Sequence, residues 1–294
     1  MKRIGLVGVG LLGGAVASRL LAAGRFEVVG YDPVPTQLAA LRPRGLQAAG
    51  SIGEAAAGAD AVFAILPSLE TVDAAVRGAG GLVETLPRGG VILQMSTISP
   101  ALTRALAAAA AARGVAFLDT PMSGTSSMVE RGDCTIYVGG DPALAGRVAP
   151  VLDAIARKTV HVGEIGHAML AKLVTNLLVG LNTAAVAEAL VLGAKGGLDP
   201  ARLLPILRES AAASRMLDVR GPLMVERKFD AQMKCDLFLK DFTLMLDEGM
   251  RLGVALPLTS LAQQLTTATV AAGRGGEDLA ALIKTIEDMA GMGD

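Results

Sequence analysis

The sequence predicts an α/β protein in two parts. A parallel-sheet domain over residues 1–163 is followed by an all-helical domain over 164–294, with a long central helix joining them. Three observations carry this. Short apolar runs alternate with helical stretches through the first half, which is the pattern of βαβ units. A Gly-x-Gly-x-x-Gly turn lies between the first run and the first helix, and strand-like runs stop after Gly166.

In order, residues 3–7 read as a buried strand, 14–23 as a helix and 27–31 as a second strand. An Ala-rich helix ending near Asp60 precedes a strand at 61–66. Strands at 91–95 and 115–119 flank an Ala-rich helix at 100–113, and 135–138 and 159–162 close the sheet. Residues 167–193 then form a helix apolar on nearly every side, which marks a core position. Further helices are expected near 200–209, 235–252, 257–272 and 278–289. Neither an internal repeat nor a disordered tract is expected, since the Ala runs fall at helical positions.

Composition removes several classes of function. The 294 residues leave room for about two domains. Hydrophobic residues make up 52% and charged ones 19%, too apolar for intrinsic disorder. With 27 basic against 28 acidic residues, no surplus of positive charge draws a nucleic acid. Aromatics are 3% with no Trp, leaving few platforms for stacking bases. Cys134 and Cys235 are too few for a disulfide framework or a four-Cys zinc site, and no His-Glu-x-x-His or paired-carboxylate motif suggests a metal. Mean hydropathy is +0.50, yet the most apolar stretch, 168–194, is broken by Lys172, Thr175, Asn176, Asn182, Thr183 and Glu188. It falls short of the roughly 18 uninterrupted apolar residues of a spanning segment, so no membrane association is expected. Lys2, Arg3 and Ala15-Val16-Ala17 imitate a secretion signal, but the glycines between them have another use, and a cytoplasmic location is expected.

That use is in Gly8-Val9-Gly10-Leu11-Leu12-Gly13. The first glycine permits the tight turn, the second lets backbone approach a pyrophosphate, and the third lets helix and strand pack closely. The helix N-terminus that comes next offers unpaired N–H groups to the phosphates. Asp32 lies 19 residues after Gly13, near the spacing of an acid that binds the adenine ribose. A carboxylate there accepts from a 2′-hydroxyl and repels a 2′-phosphate, and no Arg follows among Pro33, Val34, Pro35 and Thr36. The reading is a Rossmann-type domain binding NAD, with NADP as the alternative.

Three further segments stand out: Asp119-Thr120-Pro121-Met122-Ser123-Gly124-Thr125, Gly163-Glu164-Ile165-Gly166 leading into a helix with Lys172 and Asn176, and Lys240-Asp241. Lys172 and Asn176 are four apart and share a helix face. A lysine on an otherwise apolar helix is costly to bury unless paired or functional. From periodicity alone it could equally snorkel to the surface.

Together with the glycine turn, these segments resemble the 3-hydroxyisobutyrate dehydrogenase family of β-hydroxyacid dehydrogenases over essentially the whole chain. The resemblance implies that Lys172 is the general acid/base, that Asn176 orients the substrate, and that Ser123, Gly124 and Thr125 hold its carboxylate. It implies that Leu66, Pro67, Thr71 and Thr97 line the cofactor and that Lys240 reaches the cofactor or the active site. The expected substrate is a small 3-hydroxy acid, with a semialdehyde or sulfonate-aldehyde reductase as the alternative and a non-catalytic dinucleotide-binding protein behind both. Relatives read Asp-Ala-Pro-Val-Ser-Gly-Gly in the loop, so Thr120, Met122 and Thr125 depart from the pattern, as do Met128 and Ala168 where glycines are expected. A homodimer or homotetramer is implied too, in keeping with more apolar helical surface than one small domain can bury. His161 and His167 lack a recognisable partner and read as structural, and the methionines near Met245 and Met250 read as core filler.

Overall fold

In the computed structural model, which describes residues 1–292, the chain divides into two compact units, Met1–Lys172 and the part beginning at Leu173. The first opens with β1 (Arg3–Val7), α1 (Leu11–Ala22), β2 (Glu27–Tyr31), α2 (Pro35–Ala39) and β3 (Gln47–Ala48). It continues through α3 (Ile52–Ala56), β4 (Ala61–Ala64), α4 (Leu69–Arg77), α5 (Leu82–Thr85) and β5 (Val91–Gln94). Next come α6 (Pro100–Ala112), β6 (Ala116–Asp119), β7 (Met122–Ser123) and α7 (Ser126–Glu130), then β8 (Thr135–Gly139), α8 (Pro142–Ile155) and β9 (Lys158–Gly163).

The nine strands form one sheet in the order β3-β2-β1-β4-β5-β6-β8-β7, with β9 on β8. From β3 to β6 every pairing is parallel. Such strands are buried on both faces, and the pleat sorts their side chains accordingly. Ile4, Leu6, Ala61, Phe63, Val91 and Leu93 pack on one side, with Val16 and Leu20 of α1 and Val148 and Leu152 of α8. Val7, Val62, Ala64 and Ile92 pack on the other, with Val72, Val76 and Leu106 of α4 and α6.

One expectation fails at the far edge: β8 runs antiparallel to β6 and β7. After Asp119 the chain turns into β7, and the five residues of α7 advance only about 7.5 Å. That is too short to carry the chain back along a strand for a parallel crossover, so β8 returns reversed. The small elements α2, β3, β7 and α7 and the helices α4, α5 and α8 lie outside the expected set. The expected segments at 61–66 and 91–95 end sooner, at Ala64 and Gln94, because the chain leaves the sheet there and enters loops held by side-chain hydrogen bonds.

Helix α9 (His167–Lys195) begins in the first unit and runs into the second, so the division falls within it, past the 163/164 position expected from sequence. By length and hydropathy α9 could cross a bilayer. It is packed inside the protein along part of its surface: Lys172, Asn176 and Thr183 are buried, and at Gly180 an added Cβ would come within 2.6 Å of the Phe242 ring, while Val174, Leu178 and Leu192 are exposed, so the helix is less enclosed than its apolar sequence predicts. The helical unit continues with α10 (Pro200–Arg208), α11 (Arg215–Val225), α12 (Cys235–Leu252), α13 (Pro257–Thr269) and α14 (Leu282–Met289). Among these, α11 was not anticipated, and the helix expected at 278–289 opens as a 3-10 turn, Leu279–Ala281.

A buried ion pair pins this unit. Arg220 Nε stands 3.2 Å from Asp278 Oδ1, with the two side chains 3% and 1% exposed. Asp278 also accepts from the N–H groups of Gln232, Met233 and Ala280, so one carboxylate holds α11, the loop before α12 and the turn before α14. Removing one partner strands a buried charge. Arg220→Ala should therefore cost about 3–5 kcal/mol, read from the urea unfolding midpoint of the full chain. A loss below about 1 kcal/mol would show that the pair contributes no more than a surface bridge.

Candidate active site

The residues singled out in the first unit converge because of the strand order. Chain direction reverses its course through the sheet between β1 and β4, and ligands of open α/β sheets bind at the carboxyl ends of strands beside such a point. Gly8–Gly13 follows β1, Asp32 follows β2, Leu66 and Pro67 follow β4, Thr97 follows β5, and Ser123 lies just past β6.

The three glycines of the turn do different physical work. Gly8 has φ +93°, and a Cβ there would sit 2.1 Å from the Ile65 carbonyl oxygen. A Cβ on Gly13 would sit 2.1 Å from the Gly8 carbonyl oxygen. A Cβ on Gly10 would meet nothing within 4 Å. Gly10 is also the N-cap of α1 and makes no side-chain cap, so the first N–H groups of the helix face outward without an internal acceptor. Open space over unpaired N–H groups fits a pyrophosphate. Val9 is buried, while Leu11 is exposed and Leu12 half-buried on the first turn of α1. Asp32 is anchored by two backbone donors, Val9 N–H to Oδ2 at 2.8 Å and Val34 N–H to Oδ1 at 2.9 Å.

Two buried polar residues that sequence reading passed over hold the neighbouring loops. Ser96 Oγ accepts from Leu66 N–H at 2.8 Å and donates to the Ala64 carbonyl at 3.3 Å. Gln94 brackets Ser96, accepting from its N–H at 2.5 Å and donating to its carbonyl at 2.9 Å. Thr97 is the next residue. The signal was present as a polar pair closing an apolar strand. Thr71 acts locally, since its hydroxyl accepts from Ser68 N–H and completes the capping box of α4.

Past β6, Ser123 pairs with Thr135 in the β7–β8 ladder, and Gly124 runs so close to β8 that a Cβ would stand 2.9 Å from Cys134 Cβ. Thr125, where relatives carry glycine, has φ −81° and needs no glycine there. It serves as N-cap of α7, accepting from Met128 N–H at 3.4 Å, and its hydroxyl pairs with Ser127 at 2.9 Å.

On α9, Lys172 is 7% exposed. Asn176, one turn on, is 3% exposed and donates through Nδ2 to Asp241 Oδ2 at 2.7 Å. Asp241 lies on α12 beside Lys240, whose Nζ is 3.2 Å from Asp241 Oδ1. Asp241 stood in the sequence motif without a role; its burial and its bond to Asn176 are visible only in three dimensions. The other candidates are structural. His161 bonds the Gly140 carbonyl, and His167 Nδ1 accepts from Glu164 N–H. Burial pushes the Cys134 thiol up to about 11 and the Cys235 thiol up to about 12, so both stay protonated. A cavity of about 690 Å³ in the helical unit includes Arg227, Arg274 and Lys284 in its lining, and these are paired to Glu287, Asp288 and Glu277.

The strand order, the glycine turn and the anchored Asp32 define a Rossmann-type dinucleotide-binding protein. Residues 3–163 match the family described as the NAD binding domain of 6-phosphogluconate dehydrogenase. Residues 166–286 match the one described as the NAD-binding region of NADP-dependent 3-hydroxyisobutyrate dehydrogenase. The chain belongs to the 3-hydroxyisobutyrate dehydrogenase family of β-hydroxyacid dehydrogenases. It is 36% identical to 2-(hydroxymethyl)glutarate dehydrogenase of Eubacterium barkeri over 99% of this chain and 96% of that one. It is 32% identical to 2-hydroxy-3-oxopropionate reductase of Escherichia coli (strain K12), over 98% of each. A solved 3-hydroxyisobutyrate dehydrogenase from Salmonella typhimurium superposes with a TM-score of 0.88 at 31% identity, covering 97% of this chain and 99% of that one. The cofactor is accordingly a nicotinamide dinucleotide, and the reaction class is oxidoreduction of a hydroxy acid at a CH–OH group.

The glycine geometry separates fold from binding. Gly10→Ala should keep the melting temperature within about 2 °C while weakening dinucleotide binding about tenfold or more. Gly8→Ala should lower the melting temperature itself. Calorimetric melting with isothermal titration of NAD distinguishes them, and unaltered affinity in Gly10→Ala would remove the turn from the binding site.

Proposed function

We propose that the protein moves hydride between NAD and the hydroxyl-bearing C3 carbon of a small 3-hydroxy acid, with Lys172 as general acid/base. One observation carries this most directly: a buried lysine stands one helical turn before an asparagine that is itself anchored by Asp241, in a chain of hydroxyacid dehydrogenase lineage. A bound nicotinamide dinucleotide supplies the hydride acceptor, or the donor in the reverse direction. In this reading Ser123, Gly124 and Thr125 hold the substrate carboxylate through hydroxyl and backbone N–H groups. Asn176 orients the hydroxyl-bearing carbon. Lys172 Nζ takes the hydroxyl proton during oxidation and returns it to the carbonyl oxygen during reduction. Gly8–Gly13 cradles the pyrophosphate, Leu66, Pro67, Thr71 and Thr97 line the cofactor, and Lys240 contributes from α12. Much of the rate enhancement then comes from positioning.

The preference for NAD rests on Asp32. Its carboxylate is held at the end of β2 by two N–H groups, and a fixed negative charge there accepts from a ribose hydroxyl and opposes a 2′-phosphate. A second reading, reduction of a semialdehyde or sulfonate aldehyde by the same residues, is favoured by the relative named 2-hydroxy-3-oxopropionate reductase. Two buried, reduced thiols suit the cytoplasmic setting of either reading.

Absorbance at 340 nm should rise with NAD and one of 3-hydroxyisobutyrate, 3-hydroxypropionate, serine, glycerate, threonate or a sulfonate analogue, more steeply than with NADP. Lys172→Ala should lose about 10²–10⁴-fold in turnover with NAD affinity unchanged within about threefold. A variant turning over at the wild-type rate would sink the assignment of the lysine.

The protein is further proposed to be a homodimer or homotetramer. Met250, Leu252, Val254, Leu258 and Leu261 are all at least half exposed from the end of α12 into α13, more apolar surface than a monomer usually leaves open. Light scattering at micromolar concentration should return a mass of at least two chains; a monomer mass contradicts the proposal.

A further inference from the structure

We propose that Asp119 is a positioning residue for the reaction: its carboxylate clamps the first turn of α9, and with it Lys172, to the strand end that leads into Ser123. This rests on the reading of Lys172 as the acid/base.

Asp119 is the last residue of β6 and is fully buried. Its Oδ2 accepts from Gly166 N–H at 3.2 Å and from Met169 N–H at 3.0 Å. These are amides that a helix start leaves without an internal acceptor, and here the cap comes from about fifty residues earlier in the chain. Lys172 lies three residues beyond Met169, about 4.5 Å further along the helix axis. In the other direction Ser123 lies four residues beyond Asp119. One carboxylate thus joins the segment bearing the proposed proton-transfer group to the segment bearing the proposed carboxylate-binding group.

The surroundings are shaped to this carboxylate. Its second oxygen, Oδ1, makes no hydrogen bond and lies against Gly139, where an added Cβ would come within 2.3 Å of it. The same Cβ would stand 2.7 Å from the Glu164 carbonyl oxygen, so Gly139 keeps open the space in which carboxylate and helix start meet. The helix start is also seated on the segment after β5, through Ile98 N–H to Met169 Sδ at 3.5 Å. Burial raises the Asp119 carboxyl above its ordinary value, and the backbone donors of α9 oppose that rise.

The test compares wild type, Asp119→Ala, Asp119→Asn and Lys172→Ala. Asparagine keeps an acceptor oxygen for the two amides, and alanine keeps none. In the protein without added cofactor, the amides of Gly166 and Met169 should exchange about tenfold or more faster in Asp119→Ala and within about threefold of wild type in Asp119→Asn. With the acid found by the 340 nm screen, kcat should fall about 10–100-fold in Asp119→Ala while KM moves less than about threefold, and Asp119→Asn should recover kcat to within about fivefold. If Asp119→Ala does not fold, Gly139→Ala, which crowds Oδ1, should give the same selective loss of kcat. Wild-type kcat in Asp119→Ala or Gly139→Ala, or equal loss in the Ala and Asn variants, overturns the proposal while inactive Lys172→Ala leaves the functional reading intact. Wild-type turnover in Lys172→Ala overturns the functional reading, and the positioning role falls with it.

Discussion

The first unit depends on how closely backbone approaches backbone at the end of β1. At Gly8 and Gly13 there is no room for even one carbon, since each would collide with a carbonyl oxygen at 2.1 Å. That contact sets how α1 leaves the sheet, and hence where its unpaired N–H groups point. The neighbouring Gly10 is free of such crowding, so its missing side chain serves the space outside the protein. A single turn therefore holds two kinds of glycine, two required by the packing of the fold and one beside open space.

Beyond that turn, polar groups at strand ends hold the loops. Asp32, half-buried, is fixed by Val9 and Val34; among the buried ones, Ser96 is fixed by Gln94 and in turn fixes Leu66, and Asp119 receives the start of α9. The buried groups have given up water and are tolerated because they are hydrogen-bonded, and satisfied polar networks give a loop one defined position. The same logic holds in the helical unit, where Asp241 fixes Asn176 and Asp278 gathers Arg220 and three backbone donors. Apolar packing supplies the layers, and these carboxylates and hydroxyls fix the loops and helix starts within them.

Departures from the family pattern become intelligible on this view. Thr125 replaces a glycine at a position with ordinary backbone angles, and its hydroxyl caps α7 and meets Ser127. The loop past β6 thus gathers the hydroxyls of Ser123, Thr125 and Ser127. Thr71 carries a capping role, which is compatible with lining the cofactor but leaves its hydroxyl engaged.

Much of the sheet was legible because parallel strands buried on both faces read as continuous apolar runs, and the glycine turn and Asp32 have a fixed spacing in the chain. Elements of two to five residues were not legible, because so short a segment has no periodicity to read, and the reversal of β8 follows from how short α7 is. The sequence alone determined the two-part architecture, the dinucleotide turn and the family of the lysine and asparagine on α9. Only the tertiary structure decided which polar residues hold these in place. The bonds from Ser96 to Leu66, from Asp119 to Met169 and from Asp241 to Asn176 span 30 to 65 residues, and hydrogen bonds over such distances leave no local pattern in the sequence.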